Sequence, residues 1–214
     1  MVTPPSDAAL SGPVGDTGAG SDSGEQDADE DKEEPEAEES SGCFPAGTKI
    51  AMGDGSLRNI EDVKVDDMIL AFDFDINEPR PARVCELMAP VREGVYVLND
   101  GLLRLTDNHP VFVMKHGREH WVSFNPEMTM KETALDDVAL LEQGDELLTL
   151  NVFAFEDRAS GTLQEFAPDS FSTQFTTVKE IGYVAGEIKT YNLKSVEGLC
   201  NFFADGVLVH NKSG

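Results

Sequence analysis

Cysteine, basic residues and long apolar runs are all scarce in this chain. Three cysteines, Cys43, Cys85 and Cys200, are scattered over 214 residues. That is too few and too dispersed for a disulfide framework or a zinc ribbon, and an odd number leaves at least one thiol unpaired. Lys and Arg number 16 against 41 Asp and Glu, a formal net charge of -25. Such a balance argues against nucleic acid and anionic membrane surfaces as partners and predicts solubility. No apolar run approaches the ~18 residues of a membrane helix, and Met1 is not followed by a charged start and an apolar core. Neither a membrane span nor a signal peptide is therefore expected. The first 42 residues contain thirteen Asp or Glu, one Lys and no aromatic residue. A segment such as "GEQDADEDKEEPEAEESSG" buries too little to offset the entropy of ordering itself, so residues 1–42 are expected to be a disordered acidic linker.

What is present begins at Cys43. Short apolar runs return there, and "GTKIAMGDGSLRNIEDV" sets a Gly-Asp-Gly turn signal between two of them, as in a β-hairpin. "DMILAFDF", "ARVCELMAP", "GVYVLN" and "LLRLT" follow as further strand-like runs with few helical patterns between them, which predicts an all-β domain. The chain also echoes itself. Aligning "IEDVKVDDMIL" at Ile60 with "VALLEQGDELL" at Val138 superposes Val63 on Leu141, Asp67 on Asp145, Ile69 on Leu147 and Leu70 on Leu148. Further on, Val84, Glu86 and Leu87 answer to Val178, Glu180 and Ile181, and Tyr96 to Tyr191. Two intertwined β subdomains are expected, with Asn151 to Thr176 as an insertion in the second.

Three short stretches carry chemistry. In "GCFPAGTKI" the Cys43 thiol can reach the carbonyl of Gly42 through a five-membered ring and turn an amide into a thioester, and a glycine hinders that attack least. Alone, Cys43 reads as a small buried hydrophobe, which is what most lone cysteines are. "LTDNHPVFV" places Thr106 and His109 three apart before an apolar strand. Amide-to-thioester exchange is uphill and needs a group to protonate the departing nitrogen and donors for an oxyanion, tasks suited to an imidazole and a hydroxyl. Alone, His109 also reads as a hydrogen-bonded structural histidine. At "VLVHNKSG" the side-chain nitrogen of Asn211 can attack its own carbonyl, giving a succinimide and releasing Lys212, provided a fold holds the attack geometry. His210 can polarise that carbonyl or protonate the leaving amine, although a strand-capping Asn looks the same. His116 and His120 in "KHGREH" have helical spacing but no further ligand follows, so they are read as surface residues, and neither a metal nor another cofactor is expected.

The order Cys, Thr-x-x-His, His-Asn, each at the edge of a β repeat, resembles the Hint (hedgehog/intein) superfamily, specifically the bacterial intein-like domains. The blocks "CFPAGTKI", "LTDNHPVFV", "LEQGDELL" and "YNLKSVEGLCNFFADGVLVHN" occur in that family's order and span Cys43 to Asn211. The resemblance implies an all-β horseshoe with two pseudo-symmetric halves over residues 43–211. It implies Cys43 as the acyl-shift nucleophile, Thr106 and His109 as assistants to the shift, and His210 as assistant to cyclisation of Asn211.

Two departures bear on the outcome. Full splicing needs Cys, Ser or Thr directly after the terminal Asn; here Lys212 stands there, and an ammonium is a poor acyl acceptor. Cleavage is therefore expected to dominate, at Gly42-Cys43 by water, a thiol or an amine, and after Asn211 with residues 212–214 as a leaving stub. The substrate is then the chain's own flanking segments, and the domain is a single-turnover self-cleaving device. The family also commonly carries an Asp and a His where this chain has Asn192 and Cys200, which weakens the expectation of efficient C-terminal cleavage. Cys200 is a candidate for a reversible disulfide with Cys43, a hypothesis that a Cys43-Cys200 peptide absent from non-reduced digests would remove. Two other readings compete: a decayed Hint fold serving as a binding module whose acidic tail recruits a basic partner, and a Cys-His hydrolase acting in trans. A reduced Cys43 suits the cytoplasm or a freshly exported chain.

Overall fold

A computed structural model describes residues 42–151 and 171–212. The acidic linker, apart from Gly42, lies outside the described residues, as do residues 213–214. In chain order the first strands are β1 (Phe44–Pro45), β2 (Lys49–Ala51), β3 (Leu57–Asn59), β4 (Met68–Asp73), β5 (Glu78–Met88), β6 (Val91–Leu98) and β7 (Leu103–Leu105). They continue as β8 (Val111–Lys115), β9 (Arg118–Ser123), β10 (Val138–Leu140), β11 (Glu146–Leu150), β12 (Thr173–Thr177), β13 (Ile181–Val196), β14 (Asn201–Ala204) and β15 (Val207–His210). Among the described residues one short α-helix, α1 (Pro126–Glu132), and two 3-10 turns, Ile60–Asp62 and Asn99–Gly101, interrupt them. The described part is thus all-β.

The expected first hairpin is β2 and β3, with Ile50 opposite Arg58. Its Gly-Asp-Gly turn closes through Gly55 N–H donating to Met52 O at 2.8 Å and Met52 N–H donating to Ser56 O at 2.8 Å. Gly55 adopts φ 78°, a left-handed value that glycine takes without penalty.

Two sheets result. One runs β4-β5-β13-β6-β7 with β1 attached to β13; the other runs β10-β9-β8-β11-β15-β14-β2-β3 with β12 attached to β11. Fully buried Phe44, Ile50, Ile69, Leu105, Leu193 and Phe202 belong to the main core. Burying such side chains stabilises by roughly 1.5–3 kcal/mol apiece before entropy is subtracted. Asn201 ties the sheets together: its side chain accepts from Phe72 N–H at 2.7 Å and donates to Phe72 O at 2.9 Å.

The internal repeat is a repeat of hydrogen bonds as well as of residues. Asp67 Oδ2 accepts from Lys64 N–H at 2.8 Å, and Asp145 Oδ2 accepts from Glu142 N–H at 2.9 Å. The Asp67 carbonyl receives Val84 N–H and the Asp145 carbonyl receives Val178 N–H. The Val84 carbonyl accepts from Asp66 N–H and the Val178 carbonyl from Gly144 N–H, the donors having φ 72° and 95°. Each aspartate also has a cation, Arg58 for Asp67 and Lys115 for Asp145. Strand register obeys the same exchange. Leu87 faces Leu193 and Met88 faces Asn192, while their counterparts Ile181 and Gly182 face Leu98 and Val97. The fold is therefore two intertwined, pseudo-two-fold halves that trade their central strands.

The insertion needs a correction. Residues 173–176 belong to β12, which pairs with β11 so that Leu147 faces Thr176, as Ile69 faces Ala82 in the first half. They are part of the repeat. "TQFTT" hides this because β12 is partly or fully exposed along its length and carries no apolar face to read. The rest of the expected insertion, 152–170, lies outside the described residues.

Candidate functional site

The N-terminal junction is held from β7. The turn after β7 brings Thr106 alongside Cys43, 63 residues earlier, where Cys43 N–H donates to Thr106 Oγ1 at 2.8 Å. Thr106 N–H donates in return to Cys43 O at 3.0 Å. The threonine hydroxyl then donates to Asn108 Oδ1 at 2.9 Å, and Asn108 Nδ2 donates to Glu132 Oε2 at 2.6 Å. Glu132 is delivered by α1, which starts with Asn125 as N-cap, accepting from Met128 N–H, and Pro126 at the first helical position. Thr129 on the same helix donates to Asn108 O at 2.9 Å. The nitrogen of the Gly42-Cys43 bond is thus the end of a hydrogen-bonded relay, buried at Thr106 and Asn108 and half-buried at Glu132.

His109 closes the turn, with its N–H donating to Thr106 O at 3.3 Å. The ring packs against Phe44 at a centroid separation of 4.1 Å and faces Phe202 edge-on at 6.5 Å. Burial among these rings pushes the imidazole down to about 3, the neighbouring His210 acting in the same direction and the backbone of Gly42 and of His210 opposing it. His109 is therefore neutral at ordinary pH. Neither of its ring nitrogens has a hydrogen bond of good geometry among the described residues. Gly42 lies directly on it: a Cβ at that position would sit 2.5 Å from His109 Cα and 2.7 Å from Nδ1. Position 42 has no room for a side chain while His109 stays where it is.

At the other end, β15 aligns His210 opposite Asn201 on β14, and His210 N–H donates to Pro110 O at 3.0 Å. Asn211 N–H donates to Cys200 O at 3.0 Å, which fixes the residue just past the strand. In that position His210 Nδ1 touches Asn211 O, the carbonyl of the Asn211-Lys212 bond, in a short contact. Trp121 of β9 stands edge-on to the His210 ring at 5.0 Å and 85°. Burial lowers the His210 pKa, against the opposing pull of Asn211 O. A neutral imidazole donates to that oxygen only as the Nδ1–H tautomer.

Both ends open on one crevice. Gly42, His109, Asn192, His210, Asn211 and Lys212 all line it, and its free volume is about 10 Å³. Asn192 is buried, and its Oδ1 has no hydrogen-bond partner among the described residues. Cys200 lies at the C-terminal side of the site through its carbonyl, in a left-handed backbone conformation of φ 53°. Cys43, Cys85 and Cys200 are all thiols. A larger hollow of about 310 Å³ beside Tyr96 and Tyr183 meets this site only at Thr106.

The residues singled out for the two junctions, Cys43, Thr106, His109, Asn192, Cys200, His210 and Asn211, thus lie at one or other of them. Asn108, Glu132 and Trp121 were not anticipated. Asn108 sits inside the quoted "TDNHP" and its polarity beside Thr106 was a readable hint; Glu132 and Trp121 reach the site only through α1 and the β8–β9 pairing. His116 and His120 are on no helix: His116 is exposed in the β8–β9 turn with φ 50°, and His120 lies on β9, half-buried. No group of three or more His, Cys, Asp or Glu suited to a metal ion occurs among the described residues. No helix among them is long and apolar enough to cross a membrane.

No protein-family model matches the sequence. A comparison with curated proteins likewise finds no match. Solved structures do match. A bacterial intein-like domain from Clostridium thermocellum shares 22% identity at a TM-score of 0.55, over 79% of this chain and 98% of that one. A DnaB intein from Synechocystis sp. PCC 6803 shares 19% identity at a TM-score of 0.53, over 80% and 99%. The PabCDC21-1 intein shares 18% identity at a TM-score of 0.56, over 79% and 98%. The chain has the Hint fold that these structures share.

Proposed function

We propose that residues 43–211 form a self-processing domain that cleaves its own flanking peptide bonds, with 1–42 as the N-terminal linker and 212–214 as the stub that leaves. The observation that carries this reading is the shared crevice, which places Gly42 and Lys212, the outer residues of two separate junctions, beside His109 and His210.

At the N-terminal junction, Cys43 Sγ attacks the Gly42 carbonyl carbon. Thr106 orients the scissile nitrogen, and neutral His109 accepts the thiol proton. The imidazolium formed in so dry a site is a strong acid, so it hands the proton to the nitrogen as the C–N bond breaks. A thioester and a free Cys43 amine result, and an acyl acceptor then breaks the C–S bond. At the C-terminal junction, Asn211 Nδ2 attacks the Asn211 carbonyl carbon while His210 Nδ1–H stabilises the developing oxyanion. The C–N bond to Lys212 breaks, the Lys212 nitrogen takes the proton lost from Nδ2, and a succinimide remains.

With Lys212 in the position of an acceptor residue, cleavage rather than splicing is the outcome of this scheme. The trans-hydrolase alternative has a steric obstacle, since Cys43 is 0% exposed and a foreign peptide has no way to its thiol. The binding-module alternative predicts no covalent change at all. Intact-mass analysis of freshly purified protein, with Cys43→Ala and Asn211→Ala variants, separates these readings: self-processing requires mass losses that vanish with the matching variant.

A further inference from the structure

Three polar atoms in the crevice stand out: His109 Nδ1, His109 Nε2 and Asn192 Oδ1 are buried and make no hydrogen bond of good geometry among the described residues, the backbone of Gly42 and of His210 lying near the ring without closing one. Buried polar groups without partners are costly, and each such group in a folded protein calls for a ligand or a role. Both residues line the same crevice, and its free volume of about 10 Å³ is at the lower limit for admitting a single water. The backbone holds Asn192 in place, since it pairs with Met88 across the β5–β13 ladder, and its side chain cannot swing to solvent from a residue 2% exposed. His109 is equally fixed between Phe44 and Gly42.

We propose that the crevice is a water site that selects the acyl acceptor, with one water held between Asn192 Oδ1 and a ring nitrogen of His109 and larger nucleophiles excluded by size. This rests on the self-processing reading above and narrows it: the Gly42-Cys43 thioester is resolved by hydrolysis, with transfer to a thiol or amine shut out. The water gives one hydrogen bond to Oδ1 and one to the unprotonated imidazole nitrogen, which satisfies Asn192 and one of the two ring nitrogens. Its oxygen attacks the Gly42 carbonyl carbon, its proton passes to His109, the C–S bond breaks, and the Cys43 thiolate takes that proton from the imidazolium. The products are a Gly42 carboxylic acid, which then ionises to solvent, and a Cys43 thiol. An alkyl thiol or a primary amine needs space that Glu132, Thr133, Asn192 and Lys212 occupy at the crevice wall. Asn192 therefore binds the acceptor and sets its size.

The test uses the full chain with an N-terminal tag, incubated in buffer made with oxygen-18 water, with and without 2-mercaptoethanesulfonate, a bulky thiol. For the natural sequence the expected product is the Gly42 acid carrying the label, released at a rate that the thiol leaves unchanged. Asn192→Ala, which removes the oxygen and widens the crevice, is expected to slow hydrolysis about tenfold and to open the thioester to the thiol. Asn192→Leu removes the oxygen but keeps the wall, so hydrolysis slows and the thiol gains no entry. Release of the natural chain in proportion to thiol concentration, with a thioester product, overturns the proposal alone. So does hydrolysis by Asn192→Ala at the unaltered rate. Absence of any Cys43-dependent release overturns the proposal together with the self-processing reading beneath it. A crystal structure of Cys43→Ala gives a readout without turnover: an ordered water within hydrogen-bond distance of Asn192 Oδ1 is expected, and a dry crevice contradicts it.

Discussion

Gly42 and His109 are packed so closely that a methyl group on Gly42 would lie 2.5 Å from the histidine Cα, a distance that no real Cβ contact shows. The obstacle is backbone, so it cannot be relieved by turning a flexible side chain aside. Gly42→Ala is therefore expected to displace the junction from His109 and slow N-terminal cleavage by about a hundredfold, as misplacements near 1 Å do. Loss of residues 212–214, which the proposed scheme assigns to His210 and Asn211, should be affected much less. Separate rates for the two ends, read by mass spectrometry, check this.

Thr106 supplies an acceptor to Cys43 N–H and a donor to Asn108. Thr106→Val keeps the shape and removes both, at about 1–3 kcal/mol for the loss of a buried hydrogen-bond partner. Lower thermal stability and slower N-terminal cleavage are expected together. Thr106→Ser retains the hydroxyl and should preserve most of the rate, an outcome that a merely steric role for Thr106 would not give.

His109 makes stability depend on pH with a definite sign. Its folded pKa of about 3 lies below the ordinary imidazole value of about 6.5, so between those values the unfolded chain binds the proton and the folded chain does not. Stability from this residue is complete above pH ~6.5 and is lost progressively as pH falls toward 3. His109→Gln should flatten that part of the stability profile in urea titrations, where carboxylates titrate as well but are common to both proteins.

Trp121 is the chain's single tryptophan and touches His210 edge-on at 5.0 Å. Its fluorescence is therefore a local reporter of the His210 imidazole, because an imidazolium quenches indole emission. Acidification should quench it with a midpoint below the ordinary value of about 6.5, since burial lowers the His210 pKa. The transition should vanish in His210→Gln; a midpoint at or above the ordinary value would contradict the burial argument.

Much of this was legible in the sequence because period-two apolar runs mark the strands, and because a β repeat leaves the same turn residues twice. Asp67 and Asp145 were alignable as letters, and both turn out to brace the same kind of loop. The strand β12 was not legible, since an edge strand with an exposed face needs no apolar pattern to form its ladder with β11. Glu132 was invisible for a different reason: it reaches Asn108 across 24 residues, through a seven-residue helix too short to show periodicity. Trp121 gives the same lesson. Its neighbour in sequence is His120, but its neighbour in space is His210, by way of a register that places Phe112 opposite Trp121 and Val111 opposite Val209.

The most direct test of self-processing is the intact mass of N-terminally tagged protein followed over time, beside Cys43→Ala, Asn211→Ala and the double variant. The account predicts two independent losses: the tag with residues 1–42, abolished only by Cys43→Ala, and residues 212–214, abolished only by Asn211→Ala. A mass that stays constant in the natural sequence, or losses that persist unchanged in the double variant, would contradict it.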